Sequence, residues 1–558
     1  MLRVLKAGKT YEEVYNSFRW QVPEYYNIGV DICDKWANEK YRLALICLDQ
    51  EGKERKVTFW ELKNFSNQLA NALKVNGIDK GDRVGILLSQ SPETLISHIA
   101  LYKVGGIAVP LMILFGIDAL EHRLENSEAK GVITDRENLP KILEIKDALP
   151  NLRMVMVVDS EGERGVLDFW STVEKGSRCF TPASTKADDP AIIIYTSGTT
   201  GPPKGTLLPH KTLIGHLPAV EFGHEFFPKK GDFFWTPFDW AYIGGLFDVL
   251  FPSLYYGIPI LGYRARKFDP EKTLYLIGKY GVRNTLMVPT ALNMIRQAVE
   301  EPQKRYDIQL RSIMAGGETV GKELVEWSRY ALGTGINEAY GQTECNLVVG
   351  NCSEVMEVIA GSMGKAIPGH IVETIDENGE VVKPGEFGEI AVKRPDPVMF
   401  LEYWRNPEAT NEKYIGDWLR TGDYGTKDKN GYFWFTGRQD DVIESGAYRI
   451  GPGEVEDCLM KHQAVALAAV VGVSDKIRGQ IVKAFIIPKE GVKADKALED
   501  SIKQHVKTRL ERHAYPREID FVKELPMTST GKIMRKELRR MDMERKTEDK
   551  TRVSSNSR

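Results

Sequence analysis

The chain has 558 residues, 42% of them hydrophobic and 27% charged, with a formal net charge of −3. That length exceeds what one compact core holds, so two or more domains are expected. The near-neutral balance gives no electrostatic case for nucleic acid or an anionic membrane as the main partner.

Taken in chain order, residues 18–40 are aromatic-rich and polar, with a helix expected over 30–37. From 57 to about 160 an alternation sets in: helix 59–75, strand 84–88, helix 93–103, strand 107–110, helix 117–126, then strands 131–134 and 154–158. Short apolar strands separated by helices indicate parallel βαβ units. The most apolar region, 99–115, is interrupted by Lys103, Gly105, Gly106 and Pro110 and reads as helix, turn and buried strand, not a membrane span. The N-terminus shows no signal-peptide core. Six scattered cysteines without a C-x-x-C pair give no disulfide or zinc framework, and a cytoplasmic location is expected.

The alternation resumes with strand 285–288, helix 290–300, strand 312–315 and helix 321–332. Residues 380–436 are punctuated by Gly and Pro, and Lys429-Asn430-Gly431 marks a hairpin between 424–427 and 432–436. A compact α+β pattern follows: helix 453–462, strands 465–473 and 482–488, helix 495–512, strand 519–522 and a basic helix 532–540. The expected fold class is α/β: a large N-terminal domain of parallel βαβ sheets with a small β-rich subdomain (1–438), and a small mobile α+β domain (439–543). Residues 544–558, charged and Ser-rich, are expected to be disordered.

The chemistry concentrates in residues 192–205. Ile192, Ile193 and Ile194 are β-branched and predict a buried strand. Thr196, Ser197, Gly198, Thr199, Thr200 and Gly201 follow, then Lys204. Glycines let backbone N–H groups turn toward a bound anion, hydroxyls add donors, and Lys204 adds positive charge, which is what a polyphosphate needs. The stretch is not a P-loop, because Pro202 and Pro203 stand where that motif has its glycine. Downstream, the strand 336–339 ends in Tyr340-Gly341-Gln342-Thr343-Glu344, where Glu344 offers the oxygen ligand a hard cation prefers and Thr343 a donor to phosphate. Asp423, in Thr421-Gly422-Asp423, can accept from both ribose hydroxyls. Arg438 opens the second domain, and Lys532 sits on a Thr/Gly loop suited to a group that enters and leaves an active site.

These motifs, in this order, resemble those of the adenylate-forming superfamily of acyl-CoA synthetases, adenylation domains and luciferases, from about residue 18 to 540. The opening segment is similar to that of acetyl- and medium-chain acyl-CoA synthetases. The resemblance implies an AMP-forming acid–thiol ligase that uses ATP, Mg²⁺ and coenzyme A on a short- to medium-chain carboxylic acid; loading of a carrier-protein pantetheine is the alternative. It implies that Tyr340 stacks on adenine and that Thr343 contacts phosphate. Glu344 then ligates magnesium, and Gly317, Glu318, Thr319 and Gln342 complete the nucleotide site with Asp423, Arg438 and Arg449. Trp240, Tyr242 and Gly341 are expected at the acyl pocket, with a tryptophan in place of Gly341 narrowing it toward acetate. Gly446 is expected against the pantetheine arm, Asp440 at the hinge, and Lys532 as the catalytic lysine. The acid's identity and a homo-oligomeric state stay open.

Overall fold

The computed structural model describes residues 3–49, 51–196, 202–263, 265, 267–438, 441–445, 448–475, 479–510, 514–527 and 533–555; for Glu444, Tyr448, Arg449, Glu454, Gly479 and 546–555 it describes the backbone alone. The chain divides into two compact units, one formed by residues 1–372 and 392–419, the other by 373–391 and 420–558. The division falls upstream of the expected boundary at 438, so the small β-rich subdomain counts with the C-terminal part.

The first unit holds two large sheets. One runs, in spatial order, through Lys365–Ala366, Cys345–Gly350, Ile336–Gln342, Ser312–Gly316, Asn284–Met287, Phe234–Trp235, Ile260–Gly262, Leu43–Leu48 and Glu54–Thr58. Its strands from Ile336–Gln342 to Leu43–Leu48 are all parallel. Their apolar side chains, among them Ile313, Leu261 and Ile336, are buried against helices, as a parallel sheet covered on both faces requires. The other sheet sets Arg83–Leu87, Ile107–Pro110, Gly131–Thr134, Met154–Val157 and Pro190–Thr196 in one layer. The alternation read from 57 to 160 is present with bounds shifted by a residue or two. Residues 30–37 instead form a short helix, Ile28–Asp31, capped by Asn27, and a 3₁₀ turn, Asp34–Trp36.

In a parallel sheet the carboxyl ends of the strands share one edge, and ligands bind there. That edge receives Trp240 and Tyr242 after Phe234–Trp235, Gly317 to Thr319 after Ser312–Gly316, and Gln342 to Glu344 at the end of Ile336–Gln342.

The second unit contains an antiparallel sheet of Val372–Ile375, Phe387–Lys393, Trp418–Lys427 and Phe433–Arg438. It also has an α+β layer in which Val465–Asp475, Gly479–Pro488 and Glu518–Phe521 carry the helices Pro452–Met460 and Lys496–Arg509. The tail expected to be disordered is described as the end of a helix, Arg535–Ser555. Arg540 pairs with Glu537 and with Glu544 at helical spacing, and Arg, Lys, Glu and Met are good helix formers, which favours continuing it. Among the described residues no helix is long and apolar enough to cross a membrane.

Candidate active site

The phosphate-loop candidate is a hairpin. Pro190–Thr196 and Lys204–Pro209 pair antiparallel in register Thr196 to Lys204; Ser197, Gly198, Thr199, Thr200 and Gly201, between them, lie outside the described residues. The helix Ile117–Asn126 braces both arms. Tyr195 donates its hydroxyl to Asn126 Oδ1 at 2.7 Å, and His122 Nε2 lies 3.0 Å from the Pro203 carbonyl.

Lys204 reaches from this hairpin to the second motif. Its Nζ stands 5.1 Å above the ring of Tyr403, whose hydroxyl donates to Glu344 Oε1 at 2.5 Å. Phe400 N–H donates to the Glu344 carbonyl at 2.9 Å, and Lys413 Nζ donates to Gln342 Oε1 at 3.0 Å. Thr343 and Glu344 are both 7% exposed. Residues 400–413 thus clasp the turn 342–344, and Glu402–Tyr403 itself pairs with the phosphate hairpin. Sequence reasoning missed Tyr403 and Lys413: they stand in an irregular Pro-rich stretch with no periodicity to single them out.

Gly317 holds φ +86°, the left-handed region glycine favours. Beside it Glu318 accepts from Thr290 N–H at 3.1 Å and Thr290 Oγ1 at 2.7 Å, which caps the helix Pro289–Ala298. Tyr340 is half-buried on its strand.

Trp240 is 1% exposed, while Tyr242 is half-buried and lies edge-on to Phe238 with ring centroids 6.0 Å apart. Gly341 sits where the pairing between Ile336–Gln342 and Cys345–Gly350 slips register. A Cβ on Gly341 would fall 2.2 Å from Leu347 N and 2.8 Å from Asn346 Cα. Backbone, not open space, faces that Cβ, so a tryptophan at 341 enters only if the neighbouring strand moves. Filling an empty pocket is therefore not the effect of such a change in this chain.

In the second unit Asp423 and Arg438 are directly opposed across two strands, and Arg438 Nε donates to Asp423 Oδ1 at 3.1 Å. Asp423 is buried, and its own N–H donates to Thr421 Oγ1 at 3.1 Å; Gly422 takes φ +76° and donates to Glu389 Oε1 at 2.8 Å. The two motifs joined on sequence grounds are adjacent in space. Asp440, Gly446 and Lys532 lie outside the described residues, and Arg449 is described only as backbone in the strand Tyr448–Ile450. The frame around Lys532 is described. Met527 bridges Ile533, and Met534 N–H donates to the Pro526 carbonyl at 2.8 Å. Arg535 forks onto Glu456 at 2.6 and 2.8 Å. Arg539 donates to Asp441 Oδ1 at 2.9 Å, which fastens the residue after the expected hinge to the helix Arg535–Ser555.

Two family models match the chain: AMP-binding enzyme over residues 33–404 and AMP-binding enzyme C-terminal domain over 454–532. The chain belongs to the AMP-binding enzyme family. It is 35% identical to the acetyl-coenzyme A synthetase of Bacillus subtilis, with 96% of this chain and 95% of that protein covered. It is 33% identical to the mitochondrial acyl-coenzyme A synthetase ACSM3 of Rattus norvegicus, covering 95% and 93%. Among solved structures, the anthranilate CoA ligase AuaEII in complex with anthranoyl-AMP matches with a TM-score of 0.86 at 29% identity, covering 93% of this chain and 98% of that one. The Brucella canis acyl-CoA synthetase matches with a TM-score of 0.75 at 33% identity, covering 96% and 100%. Within the family, the chain is an AMP-forming acid–thiol ligase of the acyl-CoA synthetase type.

Proposed function

We propose that the chain converts a short- to medium-chain carboxylic acid, MgATP and coenzyme A into acyl-CoA, AMP and pyrophosphate. The observation that carries the reading is the string Lys204–Tyr403–Glu344, which ties the phosphate hairpin to the Gln342–Glu344 turn.

A carboxylate is a poor electrophile because oxide is a prohibitive leaving group. Its oxygen attacks the α-phosphorus of ATP, the bond to pyrophosphate breaks, and the acyl-adenylate carries AMP as a good leaving group. The thiolate of coenzyme A then attacks the acyl carbon and AMP departs. Charge builds on phosphate oxygens in the first step, so Lys204, Thr343, the loop amides and Lys532 act by position and electrostatics, with no protein nucleophile. Glu344 fits Mg²⁺: it is a buried carboxylate that, among the described residues, forms no ion pair with Lys or Arg, and a buried charge calls for a counter-charge. Bound there, the ion would neutralise phosphate charge. Asp423 would hold the ribose, with Arg438 orienting it.

The test measures AMP, ADP, pyrophosphate and phosphate release over a panel of acids, with coenzyme A or a carrier protein as acceptor. AMP and pyrophosphate with acyl-CoA support the reading. Stoichiometric ADP, or transfer to the carrier alone, overturns it.

A further inference from the structure

Beside Tyr242 and Gly341 lies a cluster of polar side chains that the activation chemistry does not use. His216, Asp248 and Asn346 come from three elements, the helix Thr212–Gly223, the π-helical turn Leu246–Leu250 and the strand Cys345–Gly350. They are buried, with exposures of 0%, 5% and 6%. His216 Nδ1 lies 2.7 Å from the Thr212 carbonyl, so that nitrogen carries the proton and Nε2 is the acceptor. Asn346 Nδ2 donates to His216 Nε2 at 3.2 Å and to Asp248 Oδ1 at 2.6 Å, which uses both amide hydrogens. Among the described residues, Asp248 Oδ2 and Asn346 Oδ1 are left without a hydrogen-bond partner. Oxygens left over on residues this withdrawn from water call for a partner that a ligand can supply.

They lie beside Tyr242 and Gly341, the residues expected at the acyl pocket. The missing Cβ of Gly244 would lie 3.5 Å from Asp248 Oδ2 and 3.4 Å from the Tyr242 ring, and that of Gly341 would lie 2.8 Å from Asn346 Cα. The backbone departs from regular geometry to present the cluster. Leu347, next to Asn346, holds φ +53°, the strand pairing slips at Gly341, and the helix after Tyr242 opens into a π turn. Strain of this kind persists where the surroundings demand it, and functional sites are where it gathers.

Burial holds the Asp248 carboxyl well above the usual carboxylate range and lowers His216 to about 4. The two free oxygens suit a hydroxyl, which donates to Asn346 Oδ1 and exchanges a hydrogen bond with Asp248 Oδ2.

We propose that Asp248 and Asn346 bind a hydroxyl at the far end of the acyl chain, so that the substrate is a short hydroxy acid. The inference rests on the acid–thiol ligase reading. Its test compares kcat/KM, by pyrophosphate release with coenzyme A, for straight-chain acids from propanoate to hexanoate, each with and without a terminal hydroxyl and with a terminal amine. The wild-type enzyme prefers the hydroxy acid of the best length by about tenfold or more, because a matched buried polar group rejects the analogue lacking it. Asp248→Leu and Asn346→Leu each lower the hydroxy-to-unsubstituted ratio about tenfold, and Asp248→Asn lowers it less. Preference for the unsubstituted or amino acid, or variants that lose all substrates in equal proportion, overturns the inference while the ligase reading stands. Absence of pyrophosphate release with every acid overturns both.

Discussion

The two units hold their functional side chains by different physics. In the first, Glu344, Thr343 and Asn346 are buried at strand ends; Tyr403 donates to Glu344, and Asn346 donates to Asp248. In the second, the helix that follows Lys532 is held by ion pairs on partly exposed side chains: Arg535 with Glu456, 24% and 14% exposed, and Arg539 with Asp441, 24% and 17% exposed. The first arrangement suits groups that must stay put while charge develops on phosphate, since preorganised dipoles need no rearrangement. The second suits an element proposed to turn between two half-reactions: ion pairs within it keep it a single body, and each side chain stays near water. Lys483, itself buried, also ties the element together, paired at 2.7 Å with Asp542 and at 2.9 Å with Asp520, which binds the long helix to the sheet.

The sharpest break in that comparison is step selectivity. Lys532→Ala slows adenylate formation by about a thousandfold, the scale of losing a transition-state donor, and leaves thioester formation from supplied acyl-adenylate within a few-fold. Pyrophosphate exchange reads the first step and quenched single-turnover thioester formation the second. Equal slowing of both would show that the lysine is structural.

Next in size is the clamp. Glu456→Ala strands the Arg535 guanidinium and destabilises the second unit by about 3 kcal/mol, because Arg535, only 24% exposed, loses both of its contacts to the carboxylate and keeps an uncompensated charge. Hydrogen exchange should rise in Pro452–Met460, Val465–Asp475 and the start of Arg535–Ser555 while the first unit keeps its protection. Loosening spread evenly over both units contradicts the separation drawn here.

Gly341→Ala probes the first unit's rigidity. Its new Cβ collides with Leu347 N, and overpacking against backbone costs about 2 kcal/mol or more. Urea denaturation should show this, together with lower kcat/KM for every acid. A variant of unchanged stability that merely prefers shorter acids restores Gly341 as a simple gate.

The smallest effect sharpens the comparison. Tyr403→Phe deletes the hydroxyl on Glu344 at the cost of about 1.5 kcal/mol, roughly tenfold in kcat/KM for MgATP. Arg539→Ala, by contrast, changes stability by less than about 1 kcal/mol. Titration of rate against ATP at fixed free Mg²⁺ for both variants decides it. A larger loss from Arg539→Ala reverses the ranking of the two units.

Local chemistry is what the amino-acid order by itself determined. Alternating apolar strands and helices specified parallel βαβ layers, and the β-branched Ile192 to Ile194 marked the strand Pro190–Thr196. The short motifs placed Lys204, Glu344, Asp423 and Arg438 in candidate roles, because donors, carboxylates and glycines at close spacing carry their chemistry with them. Register in the hairpin after Asp423 followed from Lys429-Asn430-Gly431, and it sets Arg438 opposite Asp423. The helix Thr212–Gly223 escaped because it is buried on nearly all sides and shows no polar stripe. Tyr403 meets Glu344 across 59 residues, Asn346 meets Asp248 across 98, and Arg535 meets Glu456 across 79. No local period encodes such pairs. Only folding brings those strand ends and helices together, and only there does burial raise the Asp248 carboxyl above its usual range and set backbone against the position a Gly341 side chain would take.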